Sequence, residues 1–274
     1  MNERWVDLRC AKCCVPIPVP AYCLGTKKAA RRLCKPCRAE NARTVGRIPS
    51  QVNAAIPVSE MAQQVILGSI LGDGHLAKPR QSGSNWGLEI KHALSQEDYL
   101  RWKAKLLGPL VRTIDYPPDR IRLRTVRHPF LTELAKLVVI EGRKSVPLHP
   151  FDTITELGLG IWYLDDGCLS PARVRPTGHV DKTTIRFSTC AFTHDENLAL
   201  RALLKIKTQV DSTKCTWVNR GTSNGSYNKL GGTKRYEGIR LYAENANKFL
   251  KQVTPSLQNC GLSYKLDNGG YNVL

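Results

Sequence analysis

Asp73-Gly74 and Asp166-Gly167 each close a short apolar segment, "VILGSILGDG" (65–74) and "LGLGIWYLDDG" (157–167). Acids are disfavoured at the carbonyl end of a helix, because that end of the macrodipole is already negative. Two carboxylates placed there suit another use. Brought close together they repel, and one pKa rises unless a cation intervenes. With a hard divalent cation they form an oxygen-ligand site suited to Mg²⁺. Paired cations in such a site support phosphodiester hydrolysis. One Asp-Gly pair alone reads as a turn; two copies in matching settings point to chemistry.

A second set of candidate ligands lies near the N-terminus. Cys10-x-x-Cys13 and Cys34-x-x-Cys37 stand with 20 residues between the pairs. Four thiolates at this spacing suit tetrahedral Zn²⁺. Cys14 and Cys23 leave the ligand register open, and free thiols or, in an exported protein, disulfides are the alternatives. Cys168, Cys190, Cys215 and Cys260 are scattered and read as ordinary core or surface residues. His75, just after Asp73-Gly74, reads as a strand-start residue rather than a ligand.

The 274 residues carry 41 Lys and Arg against 23 acids, a net charge of +18. Such an excess favours a polyanionic partner through phosphate neutralisation. No apolar run is long enough to span a membrane, and "MNERWVDLRC" lacks the apolar core of a secretory signal. An intracellular setting is therefore expected: the cytoplasm of a bacterial or phage-infected cell, or an organelle.

The elements that must hold the acids repeat along the chain. Ser59 is a candidate N-cap for the first acid-ended helix. "SQEDYLRWKAKLL" (95–107) matches "THDENLALRALLK" (193–205), and each opens on Ser or Thr followed by acids, a helix start. "RIRLRTV" (120–126) and "GIRLYAE" (238–244) alternate like strands, as do "NWGLEIKHA" (85–93) and "KTTIRFSTCAF" (182–192). Helical patterns follow at 128–140 and 244–257. The longer second copy contains "NRGTSNGSYNKLGG" (219–232), a loop by composition. Gly68 and Gly72 share one helix face, and Gly158 and Gly160 offer similar room. Two such helices packed closely would bring Asp73 and Asp166 together across a pseudo-twofold axis. The expected organisation is a module at 1–47, a linker at 48–58, and halves at 59–150 and 151–274.

"ILGSILGDGHL" and "LGIWYLDDGCL" resemble the paired motifs of LAGLIDADG homing endonucleases in their single-chain form. The resemblance extends over roughly residues 60–270 and implies an α+β fold of two αββαββα halves. It implies metal-binding catalytic acids at Asp73 and Asp166, with Asp165 as helix-end polar packing. It also places basic residues of the site at Lys144, in "GRKSVP", and Lys265, in "SYKLD". Each half would lay a curved antiparallel sheet along the DNA major groove. Candidate contacts are Lys78, Arg80, Lys91, Arg122 and Arg124 in the first half, and Lys182, Arg186, Lys214 and Arg240 in the second. The implied partner is double-stranded DNA with a long asymmetric site, cut by a monomer to leave short 3′ overhangs, in the service of intron mobility. The N-terminal segment resembles the small zinc-ribbon-like modules of phage and bacterial endonucleases and would add DNA affinity. Two further readings use the same scaffold: an RNA-splicing maturase acting on its own intron RNA, and a non-cleaving sequence-specific DNA-binding protein.

Overall fold

The computed structural model describes residues 5–9, 15–20, 53–79, 84–117, 119–174, 176, 180–219 and 234–267. Cys10, Cys13, Cys14, Cys23, Cys34, Cys37, Arg80 and most of the 219–232 loop lie outside the described residues. The chain divides into Met1–Val52 and Asn53–Leu274. In the first unit β1 (Trp5–Arg9) pairs antiparallel with β2 (Pro16–Pro20), Val6 opposite Val19 and Leu8 opposite Ile17. Pro16, Pro18 and Pro20 alternate, so their missing N–H groups fall along one edge of β2.

The second unit repeats one αββαββα order twice. The first copy runs α1 (Glu60–Leu71), β3 (Gly74–Ala77), β4 (Gly87–Ala93), α2 (Glu97–Leu107), β5 (Val111–Asp115), β6 (Arg120–Thr125) and α3 (Pro129–Val138). A short hairpin, β7 (Val139–Ile140) and β8 (Arg143–Lys144), follows. The second copy runs α4 (Glu156–Asp166), β9 (Gly167–Ser170), a small ladder of β10 (Arg173–Val174) with β11 (Val180–Asp181), then β12 (Thr184–Phe187), α5 (His194–Thr208), β13 (Thr213–Asn219), β14 (Lys234–Tyr242) and α6 (Ala243–Val253). The two four-stranded sheets have matching orders, β3-β4-β6-β5 and β9-β12-β14-β13. Among the described residues, no helix is long and apolar enough to cross a membrane.

Period-2 patterning gives each sheet one core face and one solvent face. In β6, Ile121, Leu123 and Thr125 are buried, while Arg120 and Arg124 are exposed and Arg122 is half-buried. The helices cover the core faces, and one continuous apolar core runs through both copies, from Val65 and Ile90 to Phe187 and Phe249.

Local signals explain some helix starts. Ser59 Oγ accepts from Ala62 N at 3.2 Å, capping α1. Thr193 and Glu196 form a reciprocal capping box on α5. Ser95 does not cap α2. A 3-10 turn at Leu94–Gln96 takes up that residue, and the helix begins at Glu97 without a side-chain cap.

Helices α1 and α4 pack backbone to backbone. A methyl group on Gly68 would sit 2.3 Å from the Gly158 carbonyl oxygen and 2.9 Å from Ile161 Cβ. Neither helix can retreat without moving the other's backbone. One on Gly160 would meet a side chain instead, Leu257 Cδ1 at 2.8 Å. Gly68→Ala is therefore expected to cost about 3 kcal/mol in urea unfolding and Gly160→Ala about 1. Equal costs would contradict a backbone contact at Gly68.

Glu196 ties the second copy to the first. Its carboxylate accepts from Arg143 Nη1 and Nη2 at 2.8 and 2.9 Å, from Ser145 Oγ at 2.5 Å and from Thr193 N at 2.7 Å. Burial alone would raise its pKa, but these donors outweigh burial and bring it down to about 2. A depressed carboxyl contributes stability above its unfolded value of 4.5, and that contribution is lost as pH falls from there towards 2. Glu196→Gln is expected to lower stability at pH 7 by about 2 kcal/mol. The gap between variant and wild type should narrow at pH 3, read by thermal melts; a gap independent of pH would contradict the assignment.

Candidate active site

The C-terminal ends of α1 and α4 meet. A Cβ on Gly72 would lie 2.4 Å from Asp165 Cβ, and Asp73 N donates to Asp165 Oδ2 at 3.3 Å. Gly72 and Asp165 hold equivalent positions in the two copies. The space between the helices admits one side chain, so one copy carries Gly and the other Asp.

That one side chain is fully buried and fully engaged. Asp165 accepts from Lys103 Nζ at 2.6 and 2.9 Å and from Tyr99 OH at 2.8 Å. Both charged side chains of the Lys103–Asp165 pair are 0% exposed. Lys103 lies on the α2 stripe formed with Tyr99, Leu100 and Leu107. Its ammonium also approaches His92 Nε2 at 3.4 Å. The other ring nitrogen, Nδ1, stands 3.4 Å from Asp73 Oδ2. A chain of contacts thus runs Asp165–Lys103–His92–Asp73, from the end of one motif helix to the end of the other.

The two remaining acids differ in exposure, Asp73 exposed and Asp166 half-buried. The Asp73 side chain is 43% exposed. Burial raises its pKa, but the His92 contact and the charges of Lys103 and Lys265 prevail and hold it below the usual value. Asp166 is half-buried and makes no side-chain hydrogen bond or ion pair among the described residues. Burial, then the charges of Asp73 and Asp165, push it up to about 7 against Lys144 and Lys265. A half-buried carboxylate beside two others and without a partner has the electrostatics that a cation relieves.

The two lysines expected at the site are there, one at each helix end. Lys144 Nζ donates to the Gly72 carbonyl at 2.7 Å. Lys265 Nζ donates to the carbonyls of Leu164 at 2.6 Å and Gly167 at 3.1 Å, and Tyr163 OH holds the Lys265 carbonyl. These ammonium groups offset the negative end of each helix, which makes an acid tolerable there. Burial lowers the pKa of both lysines, and the three carboxylates only partly oppose it.

The DNA-contact candidates lie along the two sheets. Lys78 and Lys182 are exposed beside β3 and β12. Lys91 pairs with Glu89 at 2.5 Å, and Arg122 and Arg124 share Asp115. Arg186 lies opposite Arg240 in the β12–β14 ladder. Arg240 donates to Tyr242 OH at 2.9 Å, and Lys214 pairs with Glu237 at 2.8 Å. His75 is exposed on β3. The one group of His, Cys, Asp and Glu side chains among the described residues that could converge on a metal is Asp73, His92 and Asp165. Sequence reading missed His92, Lys103 and Tyr99. The available signal was a lysine inside the otherwise apolar stripe of α2.

Over 130 residues the chain is 34% identical to the RecA protein of Mycolicibacterium flavescens, a match covering 46% of this chain and 30% of that protein. The chain thus spans less than a third of that relative's length. It is 23% identical over 230 residues to the cytochrome b mRNA maturase bI2 of Debaryomyces hansenii, covering 79% of this chain and 78% of that one. The fold matches that of the homing endonuclease I-WcaI, solved bound to its DNA recognition sequence, with a TM-score of 0.59 and 18% identity over 77% of this chain and 88% of that one. Residues 63–224, more than half of the chain, match the LAGLIDADG DNA endonuclease family. With two acid-ended helices packed through Gly68 and Gly158 and two sheets of matching order, the chain belongs to the LAGLIDADG DNA endonuclease family.

Proposed function

We propose that the chain is a site-specific endonuclease that hydrolyses both strands of a DNA duplex, with Mg²⁺ held by Asp73 and Asp166. The observation that carries this reading is the pair of carboxylates at two joined helix ends, Asp73 exposed and Asp166 half-buried without a partner among the described residues. The donors fit a hard cation. Asp165 does not fit as a ligand, because its oxygens already accept from Lys103, Tyr99 and Asp73 N. When bound, the cation supplies Lewis-acid stabilisation of the charge that builds on phosphate oxygens.

The chain's own groups do the rest. His92 fixes the Asp73 carboxylate through Oδ2. Lys144 and Lys265 are held by carbonyls beside the acids, where an ammonium offsets negative charge at the scissile phosphate. The basic solvent faces of the sheets bind the duplex on either side, and their different sequences read an asymmetric site.

Duplexes retained by the full chain from a randomised pool in Ca²⁺ supply the substrate for the test. Addition of Mg²⁺ should cut both strands of those duplexes, while Ca²⁺ alone should not. Retention without cutting in Mg²⁺ would contradict the reading. A splicing role is the second reading, favoured by the maturase relative that covers 79% of this chain. Tight binding to an intron RNA with no DNA cutting would support it instead.

A further inference from the structure

The solvent face of the first sheet carries two acids among its bases, an arrangement that works against plain phosphate binding. Asp115 on β5 lies opposite Arg122 on β6, and Lys91 on β4 lies opposite Arg122 from the other side. Arg122 donates from Nε and Nη2 to the two Asp115 oxygens, each at 2.8 Å. Arg124 Nη2 donates to Asp115 Oδ2 at 2.8 Å. One carboxylate therefore clamps two guanidinium groups. The pull of Arg122 outweighs burial, and with Arg124 it holds the Asp115 carboxyl below its usual value.

The clamp leaves a defined edge. Arg122 commits its Nε–H and one Nη2–H to Asp115. Its Nη1 lies 3.6 Å from Glu89 Oε2, too far for a hydrogen bond. One Nη1–H and the second Nη2–H remain side by side, the donor pair that matches O6 and N7 of guanine in the major groove. Among the described residues Arg124 keeps all but one of its donors, and it is 45% exposed. A carboxylate on a DNA-facing surface repels phosphate and weakens binding to every sequence alike. Its presence is explained when it contributes to selection rather than to affinity.

Arg122 and Arg124 are alternate residues on one strand, about 6.7 Å apart at the rise of a β-strand. That spacing is about two steps of B-DNA at 3.4 Å each. The second sheet lacks the arrangement. Aligning Gly74 opposite Ile90 with Gly167 opposite Phe187 puts Cys215, Gly238 and Arg186 where the first sheet has Asp115, Arg122 and Glu89.

We propose that Asp115 is a specificity-determining residue that holds Arg122 and Arg124 to read two guanines about two base pairs apart in one half of the DNA target. The proposal rests on the reading of the sheets as the DNA-binding face.

The test is selection of duplexes from a randomised pool in Ca²⁺ by the full chain, comparing wild type with Asp115→Asn and Arg122→Lys, with thermal melts as a folding check. Wild type should enrich a site with guanine at two such positions. Asp115→Asn should lose about tenfold in guanine preference at each of the two, while its affinity for unselected duplex rises a few-fold as a negative charge is removed. Arg122→Lys keeps the charge and loses the fork, so it should relax one of the two positions and leave the other. A wild type that enriches a site from which Asp115→Asn selects the same guanines overturns the proposal and spares the nuclease reading. So does an Arg122→Lys variant that weakens binding to all sequences equally, the mark of a phosphate contact. A wild type that retains no duplex overturns both.

Discussion

Asparagine at either Asp73 or Asp166 is expected to reduce DNA cutting by about a thousandfold or more, a loss of roughly 4 kcal/mol of transition-state stabilisation. Duplex binding should persist, because the sheets that carry the basic residues are untouched. The two variants should differ in stability. Asp166 is pushed up to about 7 by burial and by Asp73 and Asp165. The folded state therefore resists its ionisation, and at pH 8 without metal the ionised group opposes folding. Asp166→Asn removes that opposition and should raise metal-free stability by about 1–2 kcal/mol, a shift of several degrees in Tm. Asp73 is held below its usual value by its surroundings, so Asp73→Asn should bring no such gain. A variant at either position that cuts within tenfold of wild type would contradict the assignment.

The second large effect is expected at the buried pair beneath the site. Lys103→Met leaves the Asp165 carboxylate without its cation at a position of 0% side-chain exposure. Breaking a buried pair in this way costs about 3–5 kcal/mol. The double variant Lys103→Met/Asp165→Leu removes both charges and should recover most of that stability, since an apolar pair of similar volume can replace a buried ion pair. It should not recover function. Without Lys103, His92 Nε2 loses its donor and the ring loses the constraint that aims Nδ1 at Asp73. Cutting should remain about 10–100-fold below wild type, the usual cost of losing a group that orients a metal ligand. Urea unfolding and cleavage rates separate the two effects. A Lys103→Met cost under about 1 kcal/mol would contradict a stabilising role for the Lys103–Asp165 pair.

Much of this architecture was legible in the residues. Gly68 four positions before Gly72, and apolar runs ending in Asp-Gly, are local signals, and they led to two packed helices with convergent acidic ends. The alternation in "RIRLRTV" set both the strand β6 and the side its arginines face. Lys144 and Lys265 were identified through the family resemblance. What could not be read were contacts between distant segments. Lys103 meets Asp165 from 62 residues away, and nothing near Lys103 distinguishes it from a surface lysine except the apolar stripe that it interrupts. His92 sits in an alternating strand on the buried side, a place that an imidazole occupies only with partners, here Asp73 just beyond α1 and Lys103 on α2. Asp115 follows a bulge between Val111 and Thr113 that shifts the register, so its alignment with Arg122 required the ladder itself. The failure of Ser95 as a cap was local but subtle, because a 3-10 turn competes for the same residues.

If Asp73 and Asp166 hold a divalent cation between them, it sits at the joined ends of α1 and α4. Crystals of the full chain with a retained duplex and Mn²⁺, measured for anomalous scattering, test it most directly. A peak bounded by the Asp73 and Asp166 carboxylates that vanishes in Asp166→Asn is expected. A peak enclosed instead by Asp73, His92 and Asp165, unchanged in that variant, would contradict it.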